Sequence, residues 1–349
     1  MSGGRVVFAV PGDIAQPTGG YGYDRRLLAE LRGTGLTVDH LRLPAGYPRP
    51  SRAEEAEARR ALASLPDRSV VLVDGLAFGV MDEVAAAEGE RLALVALVHH
   101  PLALETGLCA GERERFAASE RRALTAARRV IATSRTTAEL LASGYGVPTG
   151  RIAVAPPGAD PGPPAEGGND PPVLIAVGSL IPRKGHDLLL DALARIADLA
   201  WVCRIVGSAE PDPAWAAGLV RRSEQLGLAG RVAFLGVHDD ARRQMAEADL
   251  FVLPSRYEGY GMAFAEALSQ GLPVIGCRTG AVPEVVPEGA GILVPVDDVG
   301  VLAAAMRRLV ADPVERRAHA ARARLAGAGL PTWAETAAIV GDLLRSSRR

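Results

Sequence analysis

Lys184 is the only lysine among the 39 basic residues of this chain; the rest are arginine. It sits in Val177-Gly-Ser-Leu-Ile-Pro-Arg-Lys-Gly-His-Asp, beside Arg183 and Gly185. An ammonium is a compact point charge with three rotatable donors, which suits a diphosphate. A second group is Pro254-Ser-Arg-Tyr-Glu-Gly-Tyr-Gly-Met-Ala-Phe-Ala-Glu, where seven residues separate Glu258 from Glu266. A carboxylate accepts two hydroxyl hydrogen bonds, as a sugar or a ribose offers them. If a helix opens at Gly261, the amides of Gly261, Met262 and Ala263 lie in its first turn and can donate to an anion.

Two further groups carry weaker signals. His99 and His100 follow a long apolar run, and an imidazole there can donate to a phosphate or a sugar hydroxyl; one structural and one surface histidine is the alternative. No third ligand stands at a spacing that suggests zinc, so no metal is expected. Gly19, Gly20 and Gly22 lie just before the apparent start of a helix, where the backbone can approach a ligand closely. Their spacing is not G-x-G-x-x-G, so a dinucleotide fingerprint is not supported and a plain tight turn is the favoured reading.

Such residues need a scaffold, and the hydrophobic pattern supplies one. Short apolar runs at 6–10, 70–73, 92–98, 129–132 and 152–155 alternate with helical patterns at 23–33, 113–127 and 136–143. The alternation resumes with strands at 173–177, 200–206, 232–234, 250–253 and 273–276. Helices are expected at 186–195, 215–226, 239–247, 262–270, 298–309, 313–325 and 332–344. Strands alternating with helices predict parallel sheets covered on both faces. Between the halves, PPGADPGPPAEGGNDPP has no periodicity and reads as a linker, or else as a long surface loop. The fold class is therefore α/β, with two domains. Ligands of open α/β sheets sit beyond the carboxyl ends of the strands, so the chemistry is expected in a cleft where the two domains face each other.

Composition excludes other classes. A net charge of −2 argues against a nucleic-acid binder. The 48% hydrophobic and 23% charged content fits globular cores. Cys109, Cys203 and Cys277 are odd in number and far apart, which suggests a reducing, cytoplasmic compartment. Neither a membrane span nor a signal peptide is expected. The arginines of 113–129 are a candidate contact for an anionic membrane, but Glu112, Glu114 and Glu120 favour a plain solvated helix face.

Taken in order along nearly the whole chain, these segments resemble glycosyltransferase family 4. Gly19-Gly20 resembles its N-terminal glycine loop, residues 177–185 its phosphate loop, and Glu258 to Glu266 its E-x7-E motif with Tyr260 and Gly261. Phe234-Leu-Gly-Val-His-Asp and Ala281-Val-Pro-Glu-Val-Val resemble two further segments, and Trp333 begins a helix like the one that returns to the first domain. The resemblance implies a GT-B fold of two Rossmann-like domains: 1–160 with 331–349, a linker at 161–172, and 173–330.

It also implies transfer of a sugar from a nucleotide-diphosphate donor to an acceptor hydroxyl, with retention of configuration and without metal or cofactor. By family frequency the donor is a UDP-sugar, with GDP-linked donors the alternative. The acceptor, whether glycan, lipid-linked or small molecule, stays open. Lys184, helped by Arg183, would hold the diphosphate. Glu258 would meet the donor sugar and Glu266 the ribose, while Val237 and His238 would lie at the base. Gly20 would allow approach to the β-phosphate, and His99, or His100 after a one-residue shift, would meet the sugar. Ser179 departs from the family, which usually has arginine there. An epimerase on the same fold, or an inactive sugar-nucleotide-binding subunit, are the rival functions.

Overall fold

The computed structural model describes residues 5–238 and 241–348, which form two compact units, 1–158 with 331–349, and 159–330. In the first, six parallel strands lie in the order β2-β1-β3-β4-β5-β6. They are β1 (Arg5–Pro11), β2 (Thr37–Leu43), β3 (Val70–Asp74), β4 (Ala93–Val98), β5 (Arg129–Ala132) and β6 (Ile152–Val154). The central strands β3 and β4 are buried along their whole length, which explains why they read as unbroken apolar runs. In the second unit the order is β12-β11-β10-β7-β8-β9. These are β7 (Val173–Val177), β8 (Val202–Val206), β9 (Val232–Gly236), β10 (Leu250–Leu253), β11 (Val274–Cys277) and β12 (Gly291–Val294). Each sheet reverses its strand order once, between β1 and β3 in the first unit and between β7 and β10 in the second. Such a switch point is where an open α/β sheet leaves a crevice beyond its strand ends.

The helix after β1 begins at Gly19, four residues before the predicted start, so Gly19, Gly20 and Gly22 form its first turn and not a loop. Extended Thr18 opens it, and burial of Tyr21, Tyr23, Leu27, Leu28 and Leu31 offsets the poor helix propensity of glycine. The last helix, Trp333–Ser346, packs on this one: the Trp333 and Tyr23 rings meet edge to face at 5.5 Å, and Thr336 Oγ1 donates to Pro156 O at 2.6 Å. Its start is fixed by a capping box between Thr332 and Glu335.

Other elements differ from expectation for physical reasons. The edge strands β2 and β12, and the largely polar helix Arg52–Ala63, escaped notice because edge positions and solvated faces carry little apolar signal. The helix expected over 239–247 is described at Ala241–Ala246; Asp239 and Asp240 lie outside the described residues, as do residues 1–4 and 349.

The stretch taken for a linker is bound to the second unit. Asp249, buried just before β10, accepts hydrogen bonds from the amides of Gly168 (2.6 Å), Asn169 (3.2 Å) and Val173 (2.8 Å), and from Asn169 Nδ2 (2.9 Å). Gln270 donates to Pro163 O at 2.8 Å, and its carbonyl accepts from the Ala165 amide at 2.7 Å. Proline leaves a segment few amides, and two of those that remain, Gly168 and Asn169, are taken up by the buried Asp249 carboxylate.

Glu120 is likewise not on a solvated face. It is buried, and its carboxylate accepts from the Leu102 amide at 3.0 Å. That amide opens a short 3-10 turn and has no backbone partner, so the carboxylate supplies one. Around it Arg122 pairs with Asp82 at 2.7 Å, and Arg121 lies over the Tyr145 ring. Among the described residues no helix is long and apolar enough to cross a membrane.

Candidate functional site

In the second unit the chemistry gathers at the switch point. Lys184 lies on the loop after β7, and Glu258 on the loop after its neighbour β10. Pro182 starts a 3-10 turn, Pro182–Lys184, and Gly185 ends it at φ +69°. Gly185 is required twice over: its backbone is left-handed, and an added Cβ would stand 2.1 Å from Pro254 O. The two loops thus rest directly on each other, and the side chains they carry meet.

Lys184 Nζ lies 2.7 Å from Glu258 Oε1, and Ser255 Oγ donates to the same oxygen at 2.7 Å. Arg183 Nη1 stands 3.6 Å from Glu258 Oε2 and donates to Tyr257 O at 3.0 Å. Glu258 is buried, and burial acts to raise its pKa. The Lys184 ammonium and the Arg183 guanidinium, with hydrogen bonds from Lys184 and Ser255, outweigh that and hold the carboxyl below its ordinary range. The arginine expected at Ser179 is absent, and Arg183 is the second cation that the fold brings to this place.

Glu266 lies in the helix Met262–Ser269, about one and a half turns from Gly261, which opens the helix at φ +98°. The first amides of this helix have no intrahelical partner, as at any helix start. Burial raises the Glu266 pKa, Arg242 opposes the shift and Asp160 adds to it. Val237 and His238 are exposed on the loop after β9. His186, directly after Gly185, is fully buried; neither ring nitrogen has a hydrogen-bond partner, and burial with the Lys184 charge pushes its pKa down to about 4. It is a neutral packing group.

A cavity of about 650 Å³ also lies in this unit, lined among others by Pro172, Ala200, Asp249 and Pro273. These residues precede strands, so the cavity marks the opposite end of the sheet from Lys184.

The first unit has its own cluster at its own switch point. His99 Nε2 lies 3.2 Å from Asp24 Oδ1 and 3.1 Å from Asp74 Oδ2. Asp24 comes from the helix after β1, Asp74 from the end of β3, and His99 follows β4. Tyr23 meets the imidazole edge to face at 5.2 Å, and Gly20 lies against it, a Cβ there falling 3.5 Å from Cδ2. Burial disfavours the imidazolium, but Asp24 and Asp74 outweigh it and raise His99 to about 10. Burial and Asp74 raise Asp24 in turn to about 7. His100 turns elsewhere, 3.4 Å from Glu105 Oε2. The three atoms of the His99 cluster lie within 4.8 Å of one another, close enough to enclose a cation as well as to share a proton.

Asp24 and Asp74 were not singled out in the sequence. The signal was there for Asp74: a carboxylate closing the apolar run Val70–Val73 stands at the ligand end of a buried strand. Asp24 had no such mark, because it is one helical turn beyond the glycines and faces inward only in three dimensions.

Comparison with known proteins adds the lineage. Residues 17–162 match the family model Glycosyltransferase Family 4, and residues 171–312 match Glycosyl transferases group 1. The GDP-mannose-dependent alpha-(1-6)-phosphatidylinositol monomannoside mannosyltransferase of Mycolicibacterium smegmatis is 35% identical over 217 residues, 55% of this chain and 54% of that protein. A D-inositol 3-phosphate glycosyltransferase of Mycobacterium sp. (strain JLS) is 33% identical over 201 residues, 53% of this chain and 45% of its own. The chain thus spans about half the length of the curated relatives it matches.

Among solved structures, a sucrose-phosphate synthase from Thermosynechococcus elongatus superposes with a TM-score of 0.81 at 23% identity, covering 98% of this chain and 99% of that one. Anabaena HepE, solved in complex with UDP and glucose, gives 0.77 at 19%, with 97% and 99% covered. At these identities the likeness shows the fold. The two family models follow one another along most of the chain, and with the two six-stranded parallel sheets they make it a GT-B protein that belongs to glycosyltransferase family 4.

Proposed function

We propose that the protein transfers a hexose from a nucleotide-diphosphate sugar to an acceptor hydroxyl, with retention of configuration and without a metal ion. The observation that carries this is the meeting of Lys184, Arg183 and Glu258 at the switch point of the second unit. In the transition state the anomeric carbon becomes cationic and the departing diphosphate gains negative charge. Lys184, Arg183 and the amides of Gly261, Met262 and Ala263 are fixed beforehand to take that charge, and preorganised stabilisation of this kind is usually the largest catalytic contribution. Ser179 adds a hydroxyl donor on the same loop. Glu258 would exchange its contact with Lys184 for donor-sugar hydroxyls, Glu266 would bind the ribose, and Val237 with His238 would flank the base.

On the first unit, Gly19 and Gly20 would bring helix-start amides near the β-phosphate, and His99 would meet the donor sugar. His100, held by Glu105, is the less suited of the pair. The bond from C1 to the diphosphate oxygen breaks while the bond from C1 to the acceptor oxygen forms on the same face. The acceptor proton passes to the departing phosphate oxygen, so the products are a nucleoside diphosphate and a glycoside.

Support for a uridine donor comes from Anabaena HepE, solved with UDP-glucose, and for a guanosine donor from the GDP-mannose-dependent relative. Calorimetry with UDP, GDP and ADP and their sugars, followed by turnover assays with the donor that binds, tests the proposal. Tight binding of one nucleotide with sugar transfer is expected; no nucleotide binding by the folded protein would overturn it.

A further inference from the structure

The first unit carries a side chain with an unusual arrangement. Asp24 is only 1% exposed, and its buried Oδ2 has no hydrogen-bond partner. Its other oxygen, Oδ1, is spent on His99 Nε2 at 3.2 Å. Asp74 Oδ2 approaches the same nitrogen at 3.1 Å, while Asp74 Oδ1 caps the short helix Gly75–Phe78 through the Leu76 amide at 3.0 Å. One N–H cannot satisfy two acceptors fully, so Nε2 is committed as a donor and held between them. The His99 backbone is pinned as well, its carbonyl accepting from Thr133 Oγ1 at 3.0 Å. No described residue hydrogen-bonds Nδ1, and the side chain keeps 18% of its surface exposed.

We propose that Asp24 is a positioning residue for His99: together with Asp74 it captures Nε2, fixes the ring as an imidazolium, and leaves Nδ1–H as its single outward donor. This rests on the placement of His99 at the donor sugar proposed above, and adds to it the group that decides which nitrogen the ligand meets. Neutral histidine would offer either a donor or a bare lone pair at Nδ1, depending on tautomer. Two buried carboxylates at Nε2 remove that choice.

The titratable groups against His99 are Asp24 and Tyr23 from the helix after β1 and Asp74 from the end of β3, with Tyr21 close to both carboxylates. Tyr21 is raised to about 12 by burial and by Asp74, Asp24 and Asp13, and Tyr23 is raised further, so both phenols stay neutral, and against the burial that disfavours the imidazolium stand Asp24 and Asp74.

The test is ring NMR of the full chain labelled at its six histidines, with His99→Gln to assign the resonance. In the wild type the His99 ring is expected to stay doubly protonated through neutral pH, well above the ordinary midpoint of about 6.5. In Asp24→Asn, the same size without the charge, its midpoint falls by about 1–3 pH units, the scale for losing an adjacent opposite charge. Asp24→Glu restores part of the shift. If Asp24→Asn does not fold, Asp74→Asn gives the same readout from the other carboxylate.

A wild-type ring that titrates near 6.5, or an unchanged midpoint in Asp24→Asn, overturns the proposal. So does a ring signal that moves on adding Mn²⁺ and returns with EDTA, because a cation and not a proton would then hold the carboxylates. Turnover is measured in parallel: kcat about tenfold or more lower in Asp24→Asn, at unchanged nucleotide affinity, supports the role in transfer. A locked ring whose loss leaves kcat untouched would overturn the placement of His99 at the donor and leave the positioning by Asp24 intact.

Discussion

Lys184 Nζ and Glu258 Oε1 stand 2.7 Å apart, so the cation suited to a diphosphate is already neutralised by the carboxylate suited to a sugar. Lys184 and Arg183 keep the buried Glu258 ionised, and a donor must compete with the pair before it can use either member. Removing one partner of such a pair strands the other, so loss of folding and loss of chemistry have to be told apart.

Lys184→Ala is expected to lower turnover by about 10²–10³, the scale for losing one preorganised stabiliser of developing negative charge. It also leaves Glu258 buried without its main partner. The double variant Lys184→Ala/Glu258→Gln should regain stability in a urea titration while turnover stays low. Recovery of turnover along with stability would make the lysine merely structural.

Glu258→Gln frees Lys184 from its carboxylate. Free nucleoside diphosphate should bind at least as tightly as to the wild type, while sugar transfer falls. Calorimetry with the nucleotide set against initial rates separates the two effects, and weaker nucleotide binding would contradict them. Because the folded-state pKa of Glu258 is lowered, its contribution to stability is present above the ordinary carboxylate value and is lost as pH falls through the folded one. The variant should therefore lose less stability than the wild type on acidification.

Gly185→Ala places a Cβ at φ +69° and 2.1 Å from Pro254 O. Strain of that kind costs about 1–3 kcal/mol before any clash is counted. A lower urea midpoint is expected, with nucleotide affinity reduced as well, because the two loops that touch here carry Lys184 and Glu258.

Glu120→Gln should stabilise the protein at alkaline pH. Burial raises Glu120 to about 8, with the Leu102 amide and Tyr145 opposing. Between the unfolded value of about 4.3 and that folded value the native state holds the proton, so wild-type stability falls as pH rises through this window. Thermal melts of the two proteins should nearly coincide near pH 4 and separate by pH 9, the variant melting higher; the opposite order would show that the ionised carboxylate is well accommodated.

Much of this was legible in the sequence because the informative residues lie on local features. Lys184 stands out by rarity and sits between two glycines at a strand end. Glu258 and Glu266 flank a helix start marked by Gly261. What stayed hidden depended on distance along the chain. The 2.7 Å contact joins residues 74 positions apart, and nothing local to either loop reveals it. Asp24, Asp74 and His99 come from three separate elements whose order in the sheet had to be known first. Glu120 looked solvated because helix periodicity shows a face and not what that face meets. The proline-rich segment looked free because hydrogen bonds to buried Asp249 and Gln270 leave no periodic trace.

The last helix returns to the first unit after the whole second unit has been traversed, so residues 159–330 are an insertion within a host. A recombinant first unit that stops at residue 158 would expose the Tyr23 surface that Trp333 covers. Grafting 331–349 back through a short tether is the way to obtain that host intact. Exchange of donor specificity with a relative should accordingly be made as a cassette with two seams, near 158/159 and 330/331, and not as a single crossover in the proline-rich stretch.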